Sequence, residues 1–82
     1  MTPAQCRMAR AALEMEIREL AERAKVAPGT IVRLERGEAL KERTLDAIRT
    51  AFEAAGIEFI DENGGGVKLR KVRRVATNPR QP

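Results

Sequence analysis

Apolar residues recur three and four positions apart over residues 1–56, as in helices that bury one face. The pattern predicts four helices: about 3–13, about 17–24, a third that begins at Pro28 and ends at Gly37, and about 41–55. Their predicted inward faces carry Cys6, Ala9 and Leu13; Ile17, Leu20, Ala21 and Ala24; Ile31 and Leu34; and Leu45, Ile48, Ala51 and Phe52.

Local signals mark several helix ends. Thr2, Pro3 and Gln5 fit a capping box with proline at the first helical position. Gly56 suits the C-cap of the fourth helix, because glycine adopts positive φ without strain.

The apolar period changes to two after Gly56. Residues 57–60 (IEFI) and 67–72 (VKLRKV) read as two strands, and the DENGGG segment between them is rich in turn residues. We therefore expect helices over 1–56, a β-hairpin over 57–72 that serves as a dimerisation element, and a basic, disordered tail over 73–82.

The positive charge is unevenly distributed. The chain carries a formal net charge of +4, but residues 1–56 are nearly balanced, with ten basic and nine acidic residues. Residues 64–82 hold six basic residues and no acidic one. This tail is either solubilising charge or an arm that follows an anionic partner such as nucleic acid.

Composition argues against several other classes of protein. A single cysteine excludes an intramolecular disulfide, and the absence of histidine removes a Cys/His metal site. No apolar run is long enough for a membrane span. Without histidine or a base partner for Cys6, we expect no catalytic activity, cofactor or small-molecule ligand. The expected location is the cytoplasm.

The three residues 25–27 separate the second and third predicted helices, as in a helix-turn-helix unit, although other helical hairpins are equally tight. Small Ala21 and Ala24 allow close helix approach, and Val26 fills the space under the turn. The outward face of the third helix then presents Pro28, Gly29, Val32, Arg33 and Arg36. Such a face is either an ordinary solvated surface or suited to the DNA major groove.

The segment RELAERAKVAPGTIVRLERGEA resembles the Cro/C1-type (XRE) helix-turn-helix family. The family pattern is met at Leu20, Ala21, Val26, Thr30, Ile31, Leu34, Glu35 and Gly37. The resemblance covers about residues 3–56. It implies a mainly α fold, a four-helix lambda-repressor-like domain, here followed by the C-terminal β-hairpin.

The resemblance also implies roles for individual residues. Bases would be read in the major groove by the start and outward face of the third helix, and phosphates would be contacted from its end, from the second helix and from the next segment. Arg43 would enter the minor groove, and Arg10 and Glu35 would form a partly buried ion pair. The predicted DNA-binding residues are Ile17, Arg18, Pro28, Gly29, Thr30, Val32, Arg33, Arg36, Lys41 and Arg43.

Several positions depart from the family pattern. Glu14 and Lys25 stand where turn glycines are common, Glu16 and Ala27 stand at helix caps usually held by Ser or Thr, and Ile17 replaces the usual glutamine. Direct base reading then depends mainly on Arg33, whose expected target is guanine, and specificity leans further on DNA shape through Arg43.

The leading hypothesis is a sequence-specific, double-stranded DNA-binding regulator, a homodimer on a palindromic operator. Repression by covering a promoter is the simplest mechanism. The alternative is a protein-interaction module, such as an antitoxin or antiactivator, in which Met15, Ile17 and Val32 would contact the partner.

Overall fold

The computed structural model describes residues 1–61 and 65–70, which form four helices followed by a two-stranded antiparallel hairpin. The helices are α1 (Pro3–Leu13), α2 (Ile17–Ala24), α3 (Pro28–Glu35) and α4 (Glu42–Ala54), and the strands are β1 (Ile57–Ile60) and β2 (Gly66–Leu69). The expected mainly helical fold with a C-terminal hairpin is confirmed. The predicted turn residues 62–64, the end of the second predicted strand and the tail lie outside the described residues.

The start of α1 is the predicted capping box. The Thr2 hydroxyl accepts a hydrogen bond from the backbone N–H of Gln5 at 3.0 Å, and the Gln5 side-chain oxygen accepts one from the backbone N–H of Thr2 at 2.9 Å. Two donors that a helix start leaves unpaired are therefore satisfied within the first turn.

The apolar stripes of the four helices meet in one core. Leu20, Ile31, Ile48 and Phe52 are fully buried at its centre, and the small residues of α1 and α2 allow the helices to approach closely. Ile57 of β1 belongs to the same cluster, so the hairpin and the helices share this core.

Two helix boundaries differ slightly from those predicted. The fourth helix was expected over 41–55, whereas Lys41 is its N-cap and Ala55 its C-cap. Gly56 follows the C-cap, with φ at +107°, instead of occupying it. The glycine still provides the left-handed residue that ends a helix, one position later than expected.

Met15 corrects one part of the protein-interaction hypothesis. Met15 is a predicted partner contact in that hypothesis, but its side chain, in the segment that joins α1 to α2, is buried in the core. The reversal of the chain that turns it inward follows Glu14, which ends α1 in the left-handed conformation at φ 54°.

Contacts beyond Ile57 also join the hairpin to the helices. Phe59 packs edge-on against Phe52 at 6.0 Å between ring centroids, and the Arg49 guanidinium lies 4.8 Å from the Phe59 ring centroid. At the turn end of the hairpin, Ile60 pairs with Gly66, and both carbonyls accept hydrogen bonds from Gln5 of α1. No described helix has the length and apolarity needed to cross a lipid bilayer.

Candidate nucleic-acid interface

The turn between α2 and α3 is closed by backbone hydrogen bonds. Lys25 caps α2 in the left-handed conformation at φ 59°, and the N–H of Val26 then bonds the Ala21 carbonyl at 3.0 Å. The left-handed residue and this hydrogen bond reverse the chain after α2, and the half-buried Val26 side chain packs against the core. The turn thus has the geometry of a glycine-ended helix although lysine occupies the position.

The inward side of α3 anchors it. Ile31 and Leu34 are buried in the core, and the helix ends through Gly37, whose φ is +92°. The N–H groups of Gly37 and Glu38 bond the carbonyls of Leu34 and Arg33, which satisfies the end of the helix. The orientation of α3 about its own axis is therefore fixed by packing and by its cap.

The opposite side of α3 is solvent-exposed, as the sequence predicted. Pro28, Gly29, Arg33 and Arg36 are exposed, and Val32 retains 36 % of its accessible surface. A Cβ atom placed on Gly29 would meet nothing within 4 Å, so the first turn of the helix is unobstructed. A helix with small residues in its first turn and two exposed arginines further along can approach a nucleic-acid groove closely.

Arg33 has a weak partner of its own. Its Nε atom lies 3.8 Å from a carboxylate oxygen of Glu38, and both side chains are about half exposed. An exposed pair at this distance is worth little, of the order of 0–1 kcal/mol. Arg33 can therefore exchange Glu38 for an external acceptor at small cost.

A concave surface brings together predicted site residues from two elements. Thr30, which is half-buried, and Arg33 line it from α3, and Lys41 lines it from the segment before α4. The concavity has a volume of about 470 Å³, and Leu40 also lines it. Arg43 is not part of it and lines a different groove, between α2 and α4, beside Arg23.

The other predicted basic residues present free charges. In the described part of the chain, no carboxylate lies within 4 Å of the charged ends of Arg18, Arg36, Lys41 or Arg43, and all four side chains are exposed. Arg18 lies in α2 and Arg43 in α4, whereas Arg36 and Lys41 lie in the segment that joins α3 to α4. Such a spread over several elements suits contacts along a phosphate backbone.

Ile17 differs from its predicted role in one respect. Its side chain is half-buried and packs against the core, so it offers little surface for DNA. The Glu16 side chain makes no capping hydrogen bond at the start of α2, which leaves the first backbone N–H groups of that helix without a side-chain acceptor. Part of the Ile17 side chain remains accessible beside these N–H groups.

The expected ion pair of Arg10 with Glu35 is present and is part of a larger cluster. Arg10 Nε lies 2.7 Å from Glu35 Oε2, and a terminal guanidinium nitrogen lies 2.8 Å from Oε1, a bidentate arrangement. The Cys6 thiol donates to Oε2 at 3.1 Å, and Arg7 donates to the Glu35 backbone carbonyl. Three residues of α1 therefore hold the last residue of α3.

The contacts in this cluster shift the pKa of Glu35, Arg10 and Cys6. Burial by itself would raise the pKa of Glu35, but hydrogen bonds from Arg10 and Cys6 outweigh it and hold the pKa below its ordinary value. The Glu35 hydrogen bond raises the pKa of Arg10. Burial, reinforced by Glu35, raises the pKa of Cys6 far above the usual range for a thiol, so Cys6 stays protonated as a donor.

The pair of Arg10 and Glu35 was predicted from the family resemblance, whereas Cys6 was predicted only to face the core. The spacing carried a usable signal, since positions 6 and 10 lie one helical turn apart and face the same neighbour. Gln5 was likewise recognised only as part of the capping box, although its amide nitrogen also reaches the hairpin.

Comparison with known proteins agrees with this geometry. The protein-family model described as Helix-turn-helix, of the Cro/C1 type, matches residues 7–56, more than half of the chain. A search of curated proteins finds no match. The chain therefore belongs to the Cro/C1-type (XRE) helix-turn-helix family, whose members are DNA-binding regulators.

Proposed function

We propose that the chain is a sequence-specific, double-stranded DNA-binding transcriptional regulator that inserts α3 into the major groove and acts as a repressor. The observation that carries the proposal is the division of α3 into two sides. Ile31 and Leu34 are buried, whereas Arg33 and the C-cap residue Arg36 are exposed, and the first turn of the helix is unobstructed.

The proposed roles follow from reach and charge. Arg33 reads a guanine edge through paired hydrogen bonds, the commonest specific contact in the major groove. Arg18, Arg36 and Lys41 neutralise phosphates. Arg43, on a separate groove of the protein, reaches a narrow minor groove and reads its shape. The proposal assigns no catalytic step and no cofactor to the chain.

We further propose that two copies bind a palindromic operator, with half-sites one helical turn, roughly 34 Å, apart. A single short helix makes too few contacts for tight specific binding, which favours a two-fold arrangement. The hairpin supports this proposal, because a two-stranded sheet has unpaired strand edges, and Ile60 and Leu69 expose large apolar side chains on it. Covering a promoter would then repress transcription.

Selection of bound fragments from random duplex DNA tests the proposal directly. The expected result is a two-fold symmetric consensus. Binding should also weaken steeply as salt rises, since each neutralised phosphate releases counterions. Binding that is indifferent to both sequence and salt would instead favour the protein-interaction alternative, with exposed Val32 and part of Ile17 as contacts.

Two arginine substitutions separate base reading from phosphate contact. Arg33→Ala should cost about 1–3 kcal/mol on the consensus and relax preference at one position of each half-site. Arg36→Ala should weaken all sequences alike and reduce the salt slope by about one for each DNA-bound copy. Arg49→Gln, which removes the same charge beside Phe59 of the hairpin, serves as the control and should change neither quantity. Equal effects of the three variants would contradict the assigned roles.

A further inference from the structure

Gln5 is a buried polar residue with two separate tasks. Only 1 % of the accessible surface of Gln5 remains exposed. The side-chain oxygen completes the capping box of α1 by accepting from Thr2. The amide nitrogen points the other way, toward the hairpin, and takes no part in the cap.

The amide nitrogen joins both strands of the hairpin at their turn end. It lies 3.1 Å from the carbonyl oxygen of Ile60 and 3.0 Å from that of Gly66, and 3.4 Å from an Asp61 carboxylate oxygen. A glutamine amide has two N–H donors, and the two shorter contacts account for both. The last residue of β1 and the first residue of β2 are thus held by one side chain of α1.

The approach of the hairpin depends on a glycine. Gly65 has φ +93°, and a Cβ atom there would lie 3.4 Å from the Gln5 amide nitrogen. A residue with a side chain at this position would be strained by its backbone conformation, and its Cβ would be in van der Waals contact with the amide. The close contact therefore depends both on the Gln5 side chain of α1 and on Gly65 in the hairpin.

The neighbouring residue of α1 points to the recognition helix. Cys6 donates to Glu35 at the end of α3, while Gln5 donates to the hairpin. Consecutive residues of one helix thus hold the two elements that the proposed function assigns to DNA reading and to dimerisation. The position of the hairpin relative to α3 therefore depends in part on residues near the start of α1.

We infer that Gln5 is a positioning residue that sets the half-site separation the dimer accepts. This inference depends on the proposed function, specifically on a two-fold dimer formed through the hairpin. Adding one base pair between half-sites moves them apart by about 3.4 Å. A hairpin held rigidly on the body tolerates one separation, whereas a hairpin released from Gln5 tolerates neighbouring separations as well.

The test uses duplexes that carry two copies of the half-site selected by the wild-type protein. Their centres are separated by one helical turn, with one or two base pairs added or removed, and a duplex with one half-site completes the set. Wild-type protein should prefer one separation over its neighbours by on the order of a hundredfold, the scale of gain that linked binding provides.

Gln5→Met keeps the side-chain length and removes every hydrogen bond of the amide. We expect it to reduce the preference for one separation by about tenfold or more, with affinity for the single half-site unchanged. Thr2→Ala is the matched control, because it weakens the cap but leaves the amide contacts with the hairpin in place. It should keep the wild-type preference.

A second variant reaches the same contact from the hairpin. Gly65→Ala leaves Gln5 intact, strains the segment beside it, and should relax the separation preference in the same way as Gln5→Met. This variant keeps the inference testable if Gln5→Met fails to fold.

The two ways of failing are distinguishable. A wild-type protein that gains nothing from a second half-site would show that the proposed dimer is wrong, and the inference would fall with it. A wild-type preference that survives unchanged in folded Gln5→Met or Gly65→Ala protein would leave the dimer standing and overturn the role of Gln5 alone.

Discussion

At the scale of single residues, the proposed DNA-reading side depends on how free each charge is. Arg36, Arg18 and Lys41 have no carboxylate within 4 Å in the described part of the chain, whereas Arg33 has Glu38 at 3.8 Å. The residue proposed to read a base is thus the one with a competing partner. Glu38 also places a negative charge beside the proposed DNA-reading side of α3.

Glu38→Gln should therefore strengthen DNA binding. The substitution frees Arg33 and removes a repelling charge, and an exposed pair of this kind corresponds to a change of about threefold in affinity. Titration of the selected operator by fluorescence anisotropy measures it. Glu53→Gln, which removes the same charge from an exposed pair with Arg49, should change affinity less. Weaker binding of Glu38→Gln would show that Glu38 assists recognition.

Glu35 makes stability depend on pH. Glu35→Gln should lower the free energy of unfolding by about 2 kcal/mol near neutral pH, because it removes hydrogen bonds to a charged group. Since folding lowers the pKa of Glu35, its contribution is complete above the pKa of an unfolded glutamate, about 4.3, and is lost as pH falls through the folded pKa.

Urea unfolding of both proteins, from neutral pH down to about pH 3, measures this difference. The gap between wild type and Glu35→Gln should narrow toward the acidic end. Glu19→Gln, taken from an exposed pair with Arg23, should cost little throughout. A gap that stayed constant over the whole range would be inconsistent with a lowered Glu35 pKa.

At the scale of elements, the turns that orient α2 and α3 contain non-glycine residues in the left-handed conformation. Glu14 at φ 54° ends α1, and Lys25 at φ 59° ends α2. The family pattern commonly has glycine at both positions, and this chain adopts the left-handed conformation there without it. The apolar packing of Leu20, Val26 and Ile31 evidently outweighs the local strain.

Lys25→Gly should stabilise the protein. Relief of the left-handed strain, offset in part by the greater freedom of glycine in the unfolded chain, gives about 0.5–1 kcal/mol. Thermal unfolding followed by circular dichroism measures it. Ala11→Gly, at an exposed site inside α1, should instead cost about 1 kcal/mol. If both glycines destabilised equally, Lys25 would be under no strain.

Much of this architecture could be predicted from the sequence because its signals are local. Helical stripes, the capping box at Thr2 and the turn glycines each depend on residues a few positions apart. The hydrogen bond from Gln5 to Gly66 spans 61 positions of the sequence, and the one from Cys6 to Glu35 spans 29. Local patterns carry no information about such partners. The burial of Met15 likewise depends on residues distant in the sequence, which is why the prediction that it lies on the surface was wrong.

At the scale of the whole molecule, the hydrophobic core extends beyond the residues that the family model matches. The match ends at residue 56, whereas Ile57 is buried to 1 % exposure among residues of the helices. Cys6 lies just before the match and is also in the core. The hairpin thus closes the helical core in addition to its proposed role in dimerisation.

Two isoleucines of β1 separate these roles. Ile57→Ala should lower the free energy of unfolding by about 2–4 kcal/mol, because it removes buried methylene and methyl groups from a filled core. Ile60→Ala, at a site with 38 % exposure, should cost less than about 0.5 kcal/mol at low protein concentration. Urea unfolding at two protein concentrations compares them. Similar costs would mean that β1 does not contribute to the core as described.

The position of Cys6 has a consequence for the chemistry of the folded chain. Its sulfur is inaccessible, remains protonated and is engaged with Glu35. Alkylating agents and oxidants need an exposed thiolate, so they reach this atom only when α1 separates from α3. Because the chain has one cysteine, its rate of alkylation reports that separation alone, without any added label.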